Sequence, residues 1–367
     1  GPELLIADEP TTALDVTTQA QILRLIRDLQ QDFGTAVLFI THDFGVVAQI
    51  ADDVVVLRHG EVVEHAVTDT ILSRPQHDYT RELIAAIPDW APRAGSAVAT
   101  PLVDARALVK NFTTKTGKVH ALDHVSIAVK QGETVGIVGE SGSGKSTFAK
   151  CLVGIEEVDS GEIRIAGSDI LSLPHRQRRA ARHLMQVVFQ DPSSALNPRH
   201  TIGRTIVDVL RVNGHDRRSA CQAALVLLDD VKLDRSFFDR FPHEVSGGQR
   251  QRVCIARALA ANPKILIADE ALSALDVSVQ RQMLALFADL KAKHDLTILF
   301  ITHDLRVAAE ICDDLVVMQS GQVVASGAPA DVLEGDLHPY VHDLMHAIPG
   351  QEWFPVGSAA PTQAKAI

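Results

Sequence analysis

One stretch of this chain occurs twice. LLIADEPTTALDV over residues 4–16 returns as ILIADEALSALDV over 265–277, and FITHD over 39–43 returns at 300–304. The pairs Asp8 and Asp269, His42 and His303, and His77 and His338 are each separated by 261 residues. Across 4–88 and 265–349 about four positions in ten are identical without a gap, so two copies of one domain type share the chain. Whatever fold serves the second copy must also serve the first.

The copies are unequal. A glycine-rich loop whose Lys145 stands 124 residues before Asp269 has no counterpart, because the same step back from Asp8 falls ahead of residue 1. The expectation is that residues 1–90 are the C-terminal part of a first domain lacking its phosphate-binding half. A linker rich in Pro, Gly, Ala and Ser follows at 91–102, then a complete domain at 103–350 and a disordered tail at 351–367. A hydrophobic content of 46% with 22% charged residues is that of a globular protein, and no apolar run reaches the 18 residues of a membrane span. The net charge of -11 argues against nucleic acid as a partner. The four cysteines are too far apart for a zinc or disulfide framework, which fits a reduced compartment.

The short apolar run ETVGIV (133–138) precedes GESGSGKST, that is Gly139, Glu140, Ser141, Gly142, Ser143, Gly144, Lys145, Ser146 and Thr147, and a helical pattern follows. Strand, G-x-x-x-x-G-K-[ST] and helix together make a P-loop: glycines let backbone N–H groups converge on phosphate oxygens, the helix start adds positive potential, and Lys145 adds a full charge. Ser146 is the candidate metal ligand. KILIADE (264–270) reads as a strand ending in two carboxylates, which alternation sends to opposite sides. Asp269 is the candidate Mg2+ partner and Glu270 the candidate base or water-orienting group.

With VSGGQ in place the chain resembles the ATP-binding cassette (ABC) ATPases. Val245, Ser246, Gly247, Gly248 and Gln249 look like that family's signature, with Val245 where Leu is usual. The resemblance implies an α/β P-loop NTPase fold with a mixed sheet core, an antiparallel β subdomain and an α-helical signature subdomain, preceded here by a partial copy. It implies ATP with Mg2+ held by Ser146, Gln190 and Asp269, a Q-loop at Gln190, a D-loop residue at Asp276 and a switch histidine at His303. Phe112 matches the adenine-stacking aromatic, and a core role for it is equally open. In the first copy Asp8, Glu9, Asp15 and His42 occupy the corresponding places. Because such cassettes close head to tail, each ATP between one P-loop and the other signature, this chain is expected to hold no complete composite site and to turn over little ATP as a monomer.

QDPSSALNPR (190–199) and the HPY-x6-AIP ending (338–349), echoed at 77–88, resemble the ATPase subunits of oligopeptide, dipeptide, glutathione and nickel importers, which include fused twin-cassette forms. That resemblance implies transmembrane permease partners docking through the Q-loop and the helical region 191–245, a second cassette, and a periplasmic substrate-binding protein acting indirectly. It implies a peripheral position on the cytoplasmic side of the inner membrane. No cysteine follows Cys312, so no iron–sulfur cluster is expected. A soluble twin-cassette translation factor is the alternative, but its linker would be long and charged, unlike this one.

Overall fold

Apolar runs that end in acids become the strands of a layered α/β structure. The computed structural model describes residues 2–11, 14–88, 101–114, 117–272, 275–334, 337–351, 353 and 354. The first repeat contributes β1 (Leu4–Asp8), α1 (Val16–Phe33), β2 (Ala36–Ile40), α2 (Phe44–Ile50), β3 (Asp53–Arg58), β4 (Glu61–Val67), α3 (Thr68–Ser73) and α4 (Asp78–Ala85). Then come β5 (Pro101–Thr114), β6 (Gly117–Lys130), β7 (Thr134–Val138), α5 (Lys145–Val153), β8 (Ser160–Ile165), β9 (Ser168–Asp169), α6 (His175–His183) and β10 (Met185–Val188). A helical stretch follows, α7 (Pro192–Ala195), α8 (Ile202–Val212), α9 (Arg217–Asp230) and α10 (Gly247–Leu259). The chain then runs through β11 (Ile265–Asp269), α11 (Val277–His294), β12 (Thr297–Thr302), α12 (Leu305–Ile311), β13 (Asp314–Gln319), β14 (Gln322–Gly327), α13 (Pro329–Glu334) and α14 (Pro339–Ala347). Each element from β11 to α14 starts 261 residues after its counterpart in the first repeat.

The main sheet has the order β10-β11-β12-β7-β13-β14, parallel except for its last strand. Strands β7, β11 and β12 are buried at every position, which is why they read as unbroken apolar runs rather than alternating ones. One face is covered by α5 and the antiparallel sheet β6-β5-β8-β9; the other carries α8, α9, α10 and α11. This is the mixed core, antiparallel subdomain and helical subdomain that the motifs imply. The repeat extends to its caps: Asp15 accepts the Thr18 N–H and Asp276 the Val279 N–H, both at 2.9 Å, so each starts an 18-residue helix in the same way.

Among the described residues the first repeat has no strand in the place of β7, and its sheet is split. Strands β1 and β2 pair in parallel, β3 and β4 pair antiparallel, and the two pairs are separate sheets. Its apolar face is open to water: Ile6 is 60% exposed where Ile267 is 0%, and Leu57 is 59% exposed where Met318 is 0%. Each such side chain forgoes about 1.5–3 kcal/mol of burial.

Two boundaries differ from expectation. Strand β5 begins at Pro101, inside the stretch read as linker, whose residues 91–100 lie outside the described ones. Of the tail read as disordered, Trp353 and Phe354 pack against the first repeat's small core of Phe44, Val54, Val56, Ile71 and Leu72. The buried Arg306 fastens them, donating to the carbonyls of Pro349 (2.9 Å) and Phe354 (3.0 Å). Residues 355–367 lie outside the described ones.

Burial, and then the Glu133 carboxylate beside it, push Asp314 at the start of β13 up to about 6. A value raised in the folded state gives stability that is full below the ordinary carboxylate range and is lost as pH rises through about 6. Asp314→Asn removes that loss. Its stability relative to wild type should increase between pH 4 and pH 6 and then level off, as read from urea melts at several pH values; a difference independent of pH would contradict the assignment.

Candidate functional site

Strand β7 delivers the P-loop and α5 receives it. Gly139 leaves the strand at φ 151°, where an added Cβ would lie 2.2 Å from the Met318 carbonyl oxygen. Gly144, at φ 107°, would place a Cβ 2.4 Å from the Ala121 carbonyl oxygen. Both positions need glycine for conformation and for space. Lys145 is only 4% exposed and folds back over its own loop, donating to the carbonyls of Gly139 (2.8 Å) and Glu140 (2.7 Å). Burial pulls its ammonium below the ordinary lysine range, while Glu270, Asp269, Asp15 and Glu140 oppose that shift. Those carboxylates mark where a cationic centre is needed.

The Ser146 hydroxyl donates to Asp269 at 2.9 Å, joining residues 123 apart in sequence. Burial pushes the Asp269 carboxyl up, against the Ser146 bond, and Glu270 adds to the rise. Glu270 sits at φ 49° and its counterpart Glu9 at φ 44°, both in the left-handed region that costs a non-glycine residue about 1–3 kcal/mol. The same strained turn thus ends both strands. In the first repeat Glu9 meets His42 at 3.1 Å, while Asp8 is exposed.

The remaining predicted residues are spread around this centre. Ser246 caps α10, and its hydroxyl accepts the Gln249 N–H at 3.3 Å while the Gln249 side chain accepts the Ser246 N–H at 2.9 Å. Val245 is buried; Ser246 and Gly247 are exposed, and nothing lies within 4 Å of a Cβ added at Gly247. Gly248 is tighter, its added Cβ meeting Val279 at 2.9 Å. Gln190 is exposed between β10 and α7, and Asp276 is the N-cap of α11. Phe112 is half-buried on β5 beneath the Lys110 ammonium and belongs to neither large core.

The two repeats meet at this centre. A cavity of 140 Å³ is lined by matched pairs 261 residues apart, among them Gln19 and Gln280, His42 and His303, and Asp43 and Asp304. Like surfaces therefore face each other, as in an isologous dimer interface. Asp15 lies beside the P-loop: burial would raise its carboxyl, but the Thr18 N–H and the Thr17 hydroxyl, with a smaller contribution from the Ser141 amide, hold it below the ordinary range.

Two features escaped the sequence reading. A groove of 630 Å³ beside β10 is lined by Arg178, Arg182, His183 and Arg257 with Val153 and Phe189. Burial, then the neighbouring Arg178, lower the Arg182 guanidinium. The basic run 175–183 was the available signal, masked by the overall acidity. The other is Tyr340, whose hydroxyl accepts the Glu140 N–H at 3.0 Å.

Known proteins resemble this chain in sequence and fold. The family described as "ABC transporter" matches residues 122–273, and "Oligopeptide/dipeptide transporter, C-terminal region" matches 63–112. The glutathione import ATP-binding protein GsiA of Pectobacterium atrosepticum is 44% identical over 382 residues, covering 95% of this chain and 61% of that protein. Its Escherichia coli K12 namesake is 44% identical over 385 residues, covering 96% and 62%. The chain thus spans about three fifths of these relatives' length. Among solved structures, the ATP-binding cassette MJ0796 bound to ADP and Pi aligns with a TM-score of 0.57 at 29% identity, over 62% of this chain and 98% of that one. The cbiO1 protein of Clostridium perfringens, part of the ABC transporter complex cbiONQ, aligns with the same score at 27% identity, over 64% and 90%.

Two glycines should behave oppositely. Gly144→Ala should lower the melting temperature by several degrees, because a strained φ and a backbone clash arise together. Gly247→Ala, at an open helix start, should leave it unchanged or raise it by a degree or two. Calorimetry of both variants checks this, and equal losses would mean that the signature glycine serves the fold.

Proposed function

We infer that the chain belongs to the ABC transporter family, and on that premise we propose that it is the ATP-binding and ATP-hydrolysing part of a subunit that energises a peptide-type importer. The observation that carries this reading is the convergence of Lys145, the Ser146–Asp269 bond and Glu270 at one end of the sheet. Lys145 exchanges its two loop carbonyls for the β- and γ-phosphates, while the N–H groups from Gly142 to Thr147 and the start of α5 take the remaining oxygens. Ser146 and Asp269 present the hard oxygen donors that suit Mg2+, and with Gln190 they would hold it; the ion supplies charge neutralisation on the phosphates. Glu270 orients and polarises the attacking water, and His303 contacts the γ-phosphate. Phe112, half-buried on β5, is the residue proposed to stack on adenine.

In the intact protein the site would be completed by a second, whole cassette. Residues 2–88 are read as the counterpart of the C-terminal part of a cassette, and the open face carrying Ile6 and Leu57 is where the phosphate-binding half of such a cassette would pack. The contact of Asp15 with the Ser141 amide supports a head-to-tail arrangement, in which Asp276 performs the reciprocal duty. The exposed Ser246 and Gly247 then face a phosphate on the opposite cassette, which accounts for a glycine that the chain's own packing does not require. Glu9 and His42 are the corresponding pair of the other site.

No helix among the described residues is long and apolar enough to cross a membrane. The chain would sit on the cytoplasmic face of the inner membrane, its arginine-lined groove and the helical region 191–245 receiving the permease, with a periplasmic binding protein delivering substrate. The relatives are glutathione importers by name, and a small peptide is the substrate class they support. No observation favours the translation-factor alternative.

In the intact twin-cassette protein, Glu270→Gln should keep ATP binding and cut phosphate release by about a hundredfold or more. Unchanged turnover would place the base elsewhere. Lys145→Ala should instead weaken ATP binding by at least about tenfold, as read by titration calorimetry. For the chain as it stands, specific activity should rise with protein concentration, since a complete site needs two copies; concentration-independent turnover by a verified monomer would contradict the composite arrangement.

A further inference from the structure

The peptide unit joining Gly139 to Glu140 is held from both sides. Its carbonyl, on Gly139, accepts the Lys145 ammonium at 2.8 Å, and its N–H, on Glu140, donates to the Tyr340 hydroxyl at 3.0 Å. Tyr340 comes from α14, 200 residues away, and is buried at 6% exposure. The backbone start of α14 is fixed by the His338 side chain, which accepts the Tyr340 N–H at 3.3 Å, and by Pro339 in its first turn. The ring therefore reaches the loop from a rigid mount. Burial, together with the charges of Glu140 and Asp15 and a bond to the Glu140 side chain, pushes the phenol up to about 12, so the hydroxyl keeps its proton.

Resting on the P-loop reading above, we infer that Tyr340 is a positioning residue for nucleotide binding, the anchor that keeps the Gly139–Glu140 peptide oriented when Lys145 leaves it for the phosphates. Gly139, at φ 151°, stands in a region where a glycine backbone can rotate readily once both of its holds are released. With the lysine on ATP, the Tyr340 hydroxyl is the hold that remains. Without it the peptide samples other orientations, and ordering it again weakens binding. The effect falls on affinity rather than on the chemical step, because the hydroxyl touches neither the γ-phosphate nor the water.

The first repeat supplies an internal control. Tyr79 stands 261 residues before Tyr340 at the same place in α4, also behind a capping histidine, His77, but its ring lies under the Arg58 guanidinium and no phosphate loop stands opposite it in this chain.

The test uses the full chain with Mg-ATP in titration calorimetry, together with hydrogen exchange of the peptide spanning 139–144. Tyr340→Phe keeps the ring and should raise the Kd roughly three- to tenfold, the scale of one hydrogen bond. Exchange in 139–144 should quicken in the nucleotide-bound state, and turnover at saturating ATP should stay within twofold of wild type. Tyr79→Phe should leave Kd and exchange unchanged. A wild-type Kd and exchange pattern in Tyr340→Phe would overturn the inference, as would an equal change in both tyrosine variants, which marks a general packing effect. Normal ATP binding by Lys145→Ala would overturn the P-loop reading and this inference with it; loss of binding there with none in Tyr340→Phe would sink the inference alone.

Discussion

Strand β7 is hydrogen-bonded to β12 on one side and β13 on the other, and that insertion organises the rest. It joins what would otherwise be two small sheets, buries an apolar face on each side, and ends at the loop that meets phosphate. The first repeat shows the same sequence pattern without this strand: its β1–β2 and β3–β4 pairs stay apart and leave Ile6 and Leu57 in water. In a parallel sheet the central strand is both the structural keystone and the carrier of the site, because ligands bind at the carboxyl ends of strands. Stability and the candidate site are therefore tied to one segment.

The near-symmetry of the repeats makes their departures from it informative. Where the second repeat has Arg306, the first has Gly45, and a Cβ at that glycine would come within 2.6 Å of the Pro349 carbonyl. The buried arginine and the missing side chain together let the segment from Pro349 to Phe354 lie across the junction. That segment in turn follows α14, which carries Tyr340 to the P-loop. The chain's C-terminal part thus links the phosphate loop to the surface where the repeats meet, through covalent connection rather than through a separate partner.

Much of the fold was legible beforehand for a plain reason. Buried parallel strands must be apolar throughout, phosphate loops must be rich in glycine, and helix starts favour Ser or Asp, so β7, β11, the P-loop and the caps at Ser246 and Asp276 leave local marks. The boundaries at Pro101 and Phe354 were not legible, because a Pro-rich stretch and an isolated aromatic pair take their conformation from what they pack against. The arginine groove was hidden for a similar reason: Arg178 and Arg257 are far apart in sequence, and net charge averages over them.

The sequence by itself determined the repeat, the order of the motifs and the chemistry available at each, since residue type and spacing encode these directly. Only the tertiary structure decided which distant groups meet: Asp15 with the Ser141 amide, Tyr340 with the Glu140 amide, His42 across a cavity from His303. Such pairings depend on how whole elements pack, and no local pattern records the partner that packing brings within hydrogen-bond reach.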